Sequence, residues 1–120
     1  MALVENFEDL RIWQDARILV KRAYSAFPPN MDDRSYRDQL QRAAVSVMNN
    51  IAEGFERRTR KDFAHFLDLA KGSAGEIRNM LYVAEDLQYL PGTEAAAFRE
   101  EARALSRSIA AFTRHLRTTK

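Results

Sequence analysis

The chain has 120 residues, 46% hydrophobic and 30% charged, with a net charge of +2 and a pI near 9.1; this is the size of one domain with material for one core, too apolar for a disordered chain. It has no cysteine, which excludes disulfides and thiolate zinc sites. Only four Gly and three Pro interrupt an Ala-, Arg-, Leu- and Glu-rich background, an all-α composition, and no apolar run approaches the ~20 residues of a membrane span.

The opening MALVENFEDL lacks a basic segment followed by an apolar run, so no signal peptide is read and the expected location is the cytoplasm. A first helix is predicted from about Glu8 to Phe27. Leu10, Trp13, Ala16, Val20, Tyr24 and Phe27 share one face and are assigned to the core. Ile12 and Leu19 fall on a flank and, with Met48, are assigned as interface apolars. Pro28-Pro29 ends the helix, because proline has no N–H and disfavours the α region before it.

Asp32 or Asp33 caps a second helix running to about Arg57. It carries an apolar stripe, Leu40, Ala44, Val47, Ile51 and Phe55, and a neighbouring polar one, Gln39, Arg42, Ser46, Asn50 and Glu53. Ser, Asn and Ala on the second stripe are unlike a solvated face, so a helix covered on two sides is predicted. Gly54 sits within the apolar pattern; it costs about 1 kcal/mol against Ala in a helix and is read as a close-packing site.

Thr59 caps a third helix, about Arg60 to Gln88, with Asp62 in its first turn. Its expected core stripe is Phe63, Phe66, Leu67, Ala70, Ala74, Ile77, Leu81, Ala84 and Leu87. In an antiparallel hairpin turning near Arg58, Ala43 to Ser46 face Gly72-Ser73-Ala74-Gly75. The two glycines are read as allowing close approach, and Arg42 is predicted to pair with Glu76. After a turn at Tyr89-Leu90-Pro91-Gly92, Thr93 is the capping candidate for a fourth helix, about Glu94 to Leu116. Phe98, Ala102, Leu105, Ile109, Phe112 and Leu116 form its seam, Arg103, Arg107, Arg114 and Arg117 lie on the opposite face, and residues 118–120 are expected to fray. The expected architecture is an antiparallel up-down-up-down four-helix bundle, one domain over residues 1–120.

Three pieces of the chain together resemble a known family. They are Phe7-Glu8-Asp9-Leu10 with Trp13-Gln14 and Ala16; Gln39-Leu40, Arg42-Ala43-Ala44-Val45-Ser46-Val47 and Asn50-Ile51-Ala52-Glu53-Gly54-Phe55; and Phe63, Phe66-Leu67, Ala70, Gly72-Ser73 and Glu76, closed by Tyr89-Leu90. Over about residues 7–90 the chain resembles the four-helix-bundle proteins of the 23S-rRNA intervening-sequence family, which includes the accessory variability protein of diversity-generating retroelements. Its departure is at Met48-Asn49, where many members carry Pro or Ala-type residues. The resemblance implies a homopentameric ring with no known enzymatic activity. In the retroelement branch it implies a basic scaffold binding a reverse transcriptase and nucleic acid, and in the intervening-sequence branch an rRNA-related role.

The residues themselves offer little chemistry. Asp62 and His65 have the spacing of half a di-iron motif, but the second histidine, His115, has Phe112 in the matching position. No catalytic site, metal or cofactor is therefore predicted. Gln39, Arg42, Ser46, Asn50, Glu53, Ser73 and Glu76 are assigned to a structural polar network or an oligomer interface, with a ligand pocket as the other reading. Arg57, Arg58, Arg60 and Lys61 cluster at a predicted turn, and Arg103, Arg107, Arg114 and Arg117 follow on the last helix. These eight are assigned to nucleic-acid or partner binding, against the plainer reading of a solvated charged turn. A five-fold ring would repeat the turn cluster into about twenty charges on one rim. No aromatic interleaves with them, so binding would be phosphate-driven and salt-sensitive. The expected function is a non-enzymatic homo-oligomeric scaffold for RNA, DNA or a nucleic-acid enzyme such as a reverse transcriptase; the alternative is a protein-binding or structural ring without nucleic-acid affinity.

Overall fold

The computed structural model describes residues 4–119; the expectations placed on residues 1–3 and on Lys120 lie outside them. A 3-10 turn at Phe7–Asp9 precedes α1 (Arg11–Ala26), α2 (Arg34–Phe55), α3 (Arg60–Asp86) and α4 (Gly92–Thr118). The bundle is 48 × 21 × 21 Å, longer than the roughly 40 Å of its 27-residue helices at 1.5 Å per residue.

Local chemistry sets most of the boundaries. Asp33 Oδ1 accepts from the Tyr36 N–H (3.0 Å), capping α2. Thr59 Oγ1 accepts from the Asp62 N–H (3.1 Å), capping α3. The end of α3 is a Schellman turn: the Tyr89 N–H donates to Ala84 O (2.8 Å) and the Gln88 N–H to Glu85 O (3.1 Å). It places Gln88 at φ 60°, the left-handed region that glycine usually fills. At α4 the expected Thr93 cap is not used. Pro91, extended at ψ 145°, stands at the N-cap, its carbonyl accepts from the Ala95 N–H (3.0 Å), and Thr93 is already helical.

Paired residues fix the directions. Across α2 and α3, the Tyr36 hydroxyl donates to Met80 O (2.7 Å), Gln39 meets Glu76, and Ser46 meets Ser73. Across α3 and α4, Phe63 packs on Phe112 (5.4 Å between rings), Asp68 binds Arg117 and Glu85 binds Arg99 (2.8 Å). Arg22 of α1 binds Glu101 of α4 (2.9 Å). In the α2/α3 and α3/α4 hairpins the partners run in opposite directions, the antiparallel packing expected of a four-helix bundle.

The core is a continuous column including Leu40, Val47 and Ile51 of α2, Leu67, Ile77 and Leu81 of α3, and Phe98, Leu105 and Ile109 of α4. Each such side chain contributes about 1.5–3 kcal/mol on burial. α1 differs from expectation. Ile12 and Leu19, assigned to an interface, are 4% and 3% exposed and belong to the core with Ala16 and Ala23, whereas Tyr24, assigned to the core, is 51% exposed. The chain enters through the 3-10 turn, α1 begins only at Arg11, and it rolls so that Trp13 lies against Phe7 (5.4 Å) rather than inside. Met48 is partly buried against the core, and Leu87, past the end of α3, is exposed.

Gly54 is a packing glycine, as its place in the stripe predicted. A Cβ there would stand 2.8 Å from Phe66 Cβ and 2.9 Å from Phe63 Cδ1. Gly72 and Gly75 are not. No heavy atom lies within 4 Å of a Cβ built on either, because the α2-facing side of that segment is Ser73 and the glycines turn toward α4 and solvent.

Candidate functional site

Two surfaces gather the residues singled out by sequence. The first is a groove of about 500 Å³ along the α2/α3 seam, lined by Ser35, Asp38, Gln39, Arg42, Ala43, Ser46, Ser73 and Glu76. The heptad-like spacing of the polar stripe places these side chains beside, not in, the apolar seam. Ser46 and Ser73 hydroxyls are 2.9 Å apart, and the Asn50 amide donates to Ser46 O (2.8 Å) and Ser46 Oγ (3.1 Å). Two turns back along α2, Gln39 Nε2 donates to Glu76 Oε2 (3.3 Å). Arg42 lines the same groove without pairing with Glu76 among the described residues, so the predicted ion pair is replaced by the Gln39 contact. Glu53 is separate: it is exposed and bound to Arg57 (3.3 Å) within α2 and the following turn. Six of the seven residues thus fall into three local groups, and Arg42 stands beside them without a bond among the described residues.

The second surface is the end of the bundle where the α2–α3 turn meets the last turn of α4. The contact that ties them is Arg60 Nη1 donating to Thr119 O (2.9 Å). Arg57, Arg58, Arg60, Lys61, Arg114 and Arg117 are all exposed at this end. Arg57 also lies 4.6 Å above the Phe66 ring, a cation–π contact. Arg117 binds Asp68 through both terminal nitrogens, which raises the guanidinium pKa further above its ordinary value. Arg58, Lys61 and Arg114 form no ion pair among the described residues. Arg103 and Arg107 do not join them. They share Glu100 (3.9 and 3.2 Å) and stand roughly 16–22 Å back along α4.

No group of three or more His, Cys, Asp or Glu among the described residues is placed to hold a metal ion. His65 is exposed with its ring beside Phe66, and Asp62 is committed to the helix start through its N–H. Among the described residues no helix is long and apolar enough to cross a membrane.

The model of the 23S rRNA-intervening sequence proteins matches residues 8–111. The chain belongs to that family. Membership reaches well into α4, where the sequence alone offered only an apolar pattern. No curated protein matches the chain. Among solved structures, it is similar to a protein of unknown function from the S23 ribosomal protein family of Bacteroides thetaiotaomicron, with 16% identity over 85% of this chain and 97% of that one, and a TM-score of 0.79. At that identity the likeness establishes a shared fold.

Two further basic residues lie between α3 and α4: Lys71 lines one groove with Arg114 and Arg117 and a neighbouring one with Arg78. Residues 63–90 carry only these two basic residues against four acidic ones, so a count along the chain passes over them. The seven-residue spacing on one helix face was the signal that could have found them.

Proposed function

We propose that this chain is a non-enzymatic, self-assembling scaffold that holds nucleic acid by its phosphates, with the basic end as the contact surface. The observation that carries the reading is the convergence of two sequence-distant basic segments, residues 57–61 and 114–117, on one end of the bundle through the Arg60–Thr119 contact. Arg58, Lys61 and Arg114 are exposed there without an ion-pair partner among the described residues. Cyclic assembly would multiply this modest charge into a rim field. The name of the family, which refers to 23S rRNA, makes RNA the first ligand to try. The α2/α3 groove, where Ser46 and Ser73 meet beside Gln39, Arg42 and Glu76, suits a polar subunit seam.

A second reading has its own observation. Arg57, Arg103, Arg107 and Arg117 already hold intramolecular carboxylates, and Tyr82 and Leu87 are exposed on and just beyond α3. Those features suit a protein partner, a nucleic-acid enzyme such as a reverse transcriptase included. Fluorescence anisotropy separates the two. A labelled structured RNA and a DNA duplex are titrated with the protein over a salt series, beside a variant with Arg57, Arg58, Arg60 and Lys61 changed to Gln. Steeply salt-dependent binding that the variant loses supports the phosphate scaffold. Absence of binding at low salt leaves the protein-binding reading.

A further inference from the structure

Arg42 and Glu76 line the same α2/α3 groove and do not meet. Both are exposed, and neither forms an ion pair among the described residues. Glu76 has only the Gln39 amide (3.3 Å), which orients the carboxylate without neutralising it. The other carboxylate of the groove, Asp38, is held by Arg37 (3.1 Å). One face of the bundle therefore presents one unpaired cation and one unpaired anion. Such a face is electrostatically complementary to a second copy of itself. One arginine against Asp38 and Glu76 is the wrong balance for a phosphate ligand.

The surroundings suit a covered surface. Ser46 and Ser73 share one hydrogen bond (2.9 Å), which uses one of their two hydroxyl hydrogens. The other has no acceptor among the described residues, and both serines are only part-buried, so it is within reach of a partner. Leu69 and Val83 lie two turns to either side of Glu76 on the same α3 stripe and are 45% and 38% exposed. The face spans the 22 residues of α2 and the 21 Å width of the bundle. At 1.5 Å per residue that is about 700 Å², near the ~800 Å² per partner of a stable interface.

We propose that a second copy of the chain docks on the α2/α3 face, with Arg42 of each copy paired to Glu76 of the partner subunit. Leu69 and Val83 flank the ion pair and exclude water from it, which strengthens it. The pair forms twice in a two-fold dimer and once per contact around a ring. This rests on the self-assembly in the reading above and names the residues that perform it.

The test is charge reversal read by light scattering. Arg42→Glu and Glu76→Arg are each expected to fall to monomer mass or to raise the dissociation constant at least about tenfold. The two single variants refolded together are expected to regain the wild-type mass, as is the double variant. Circular dichroism checks that each single variant keeps its helices. A second measurement avoids charge reversal altogether. Because the chain has no cysteine, Arg42→Cys and Glu76→Cys chains mixed under oxidation are expected to give a disulfide-linked dimer that neither gives alone at the same rate. Single reversals that keep both mass and RNA binding would overturn the contact and leave the scaffold standing. A refolded mixture that stays monomeric while the double variant reassembles would place the pair within one chain and overturn it too, as would a mixture of the cysteine variants that does not cross-link. Wild type that is itself monomeric removes the contact and the self-assembly together.

Discussion

Ser46 and Ser73 place their hydroxyl oxygens 2.9 Å apart across the α2/α3 seam, and Asn50 donates to Ser46 from one turn further along. These three side chains lie in the segments that carry the family resemblance. Ser73→Ala removes one partner of a part-buried hydrogen bond and is expected to cost about 0.5–1.5 kcal/mol. Chemical denaturation reads this as a lower midpoint with an unchanged slope. If Ser73→Ala also lowers the native mass in light scattering, the seam contributes to assembly; if stability and mass are both unaltered, the hydroxyl pair has no structural role.

The same substitution should act oppositely at different glycines. Gly54→Ala drives a methyl group into Phe66 Cβ and Phe63, and the overpacking cost of about 1–3 kcal/mol outweighs the helix-propensity gain of about 1 kcal/mol. At Gly72 and Gly75 the added methyl meets nothing, so alanine there should stabilise by up to about 1 kcal/mol each. Thermal melts of the three variants check the signs, and a stabilised Gly54→Ala would mean that α2 and α3 are not in this register.

Gln88 holds a left-handed backbone at φ 60° to close α3. Gln88→Gly removes the Cβ clash and should raise stability by about 0.5–1 kcal/mol, despite the greater freedom of glycine in the unfolded chain. A melting temperature that falls would show that the Schellman turn is held by contacts of the glutamine side chain.

Acid should loosen the α2 start before it affects the apolar seam. The Tyr89 hydroxyl donates to Asp33 Oδ2 (2.5 Å) and the Tyr36 N–H to Asp33 Oδ1, in that order of effect, and both hold the carboxyl below the usual carboxylate range. The folded state thus favours the ionised form. Its stabilisation is complete above the unfolded pKa of ~3.9 and drains as pH falls below that value through the lower folded one. Asp33→Asn should be less stable than wild type near neutrality, with the gap closing below about pH 4. A gap independent of pH would assign Asp33 a capping role without a charge effect.

The α2–α3 hairpin was legible because local signals agreed there. Pro28-Pro29, the Asp33 and Thr59 caps and one unbroken apolar stripe all indicate the same element. α1 was not, because two stripes overlap on it. Trp13 and Tyr24 are the larger side chains, yet the face that enters is Ile12, Ala16, Leu19 and Ala23, where small alanines permit approach but add little to a hydropathy pattern. Pro91 pre-empted the Thr93 cap by its fixed φ. The Arg42–Glu76 expectation had the right neighbourhood but not the right partner, since Gln39 reaches Glu76 instead. The charged grooves between α3 and α4 were hidden for a different reason: their cations come from two helices, and a charge count along one helix does not add them.

The most direct test of a self-assembling phosphate scaffold is native mass spectrometry of the full chain with a short RNA hairpin in dilute ammonium acetate. The account predicts a single homo-oligomer that gains the mass of bound RNA and loses that species when Arg57, Arg58, Arg60 and Lys61 are changed to Gln. A protein that stays monomeric, or an oligomer whose mass is unchanged by RNA at the lowest salt, would contradict it.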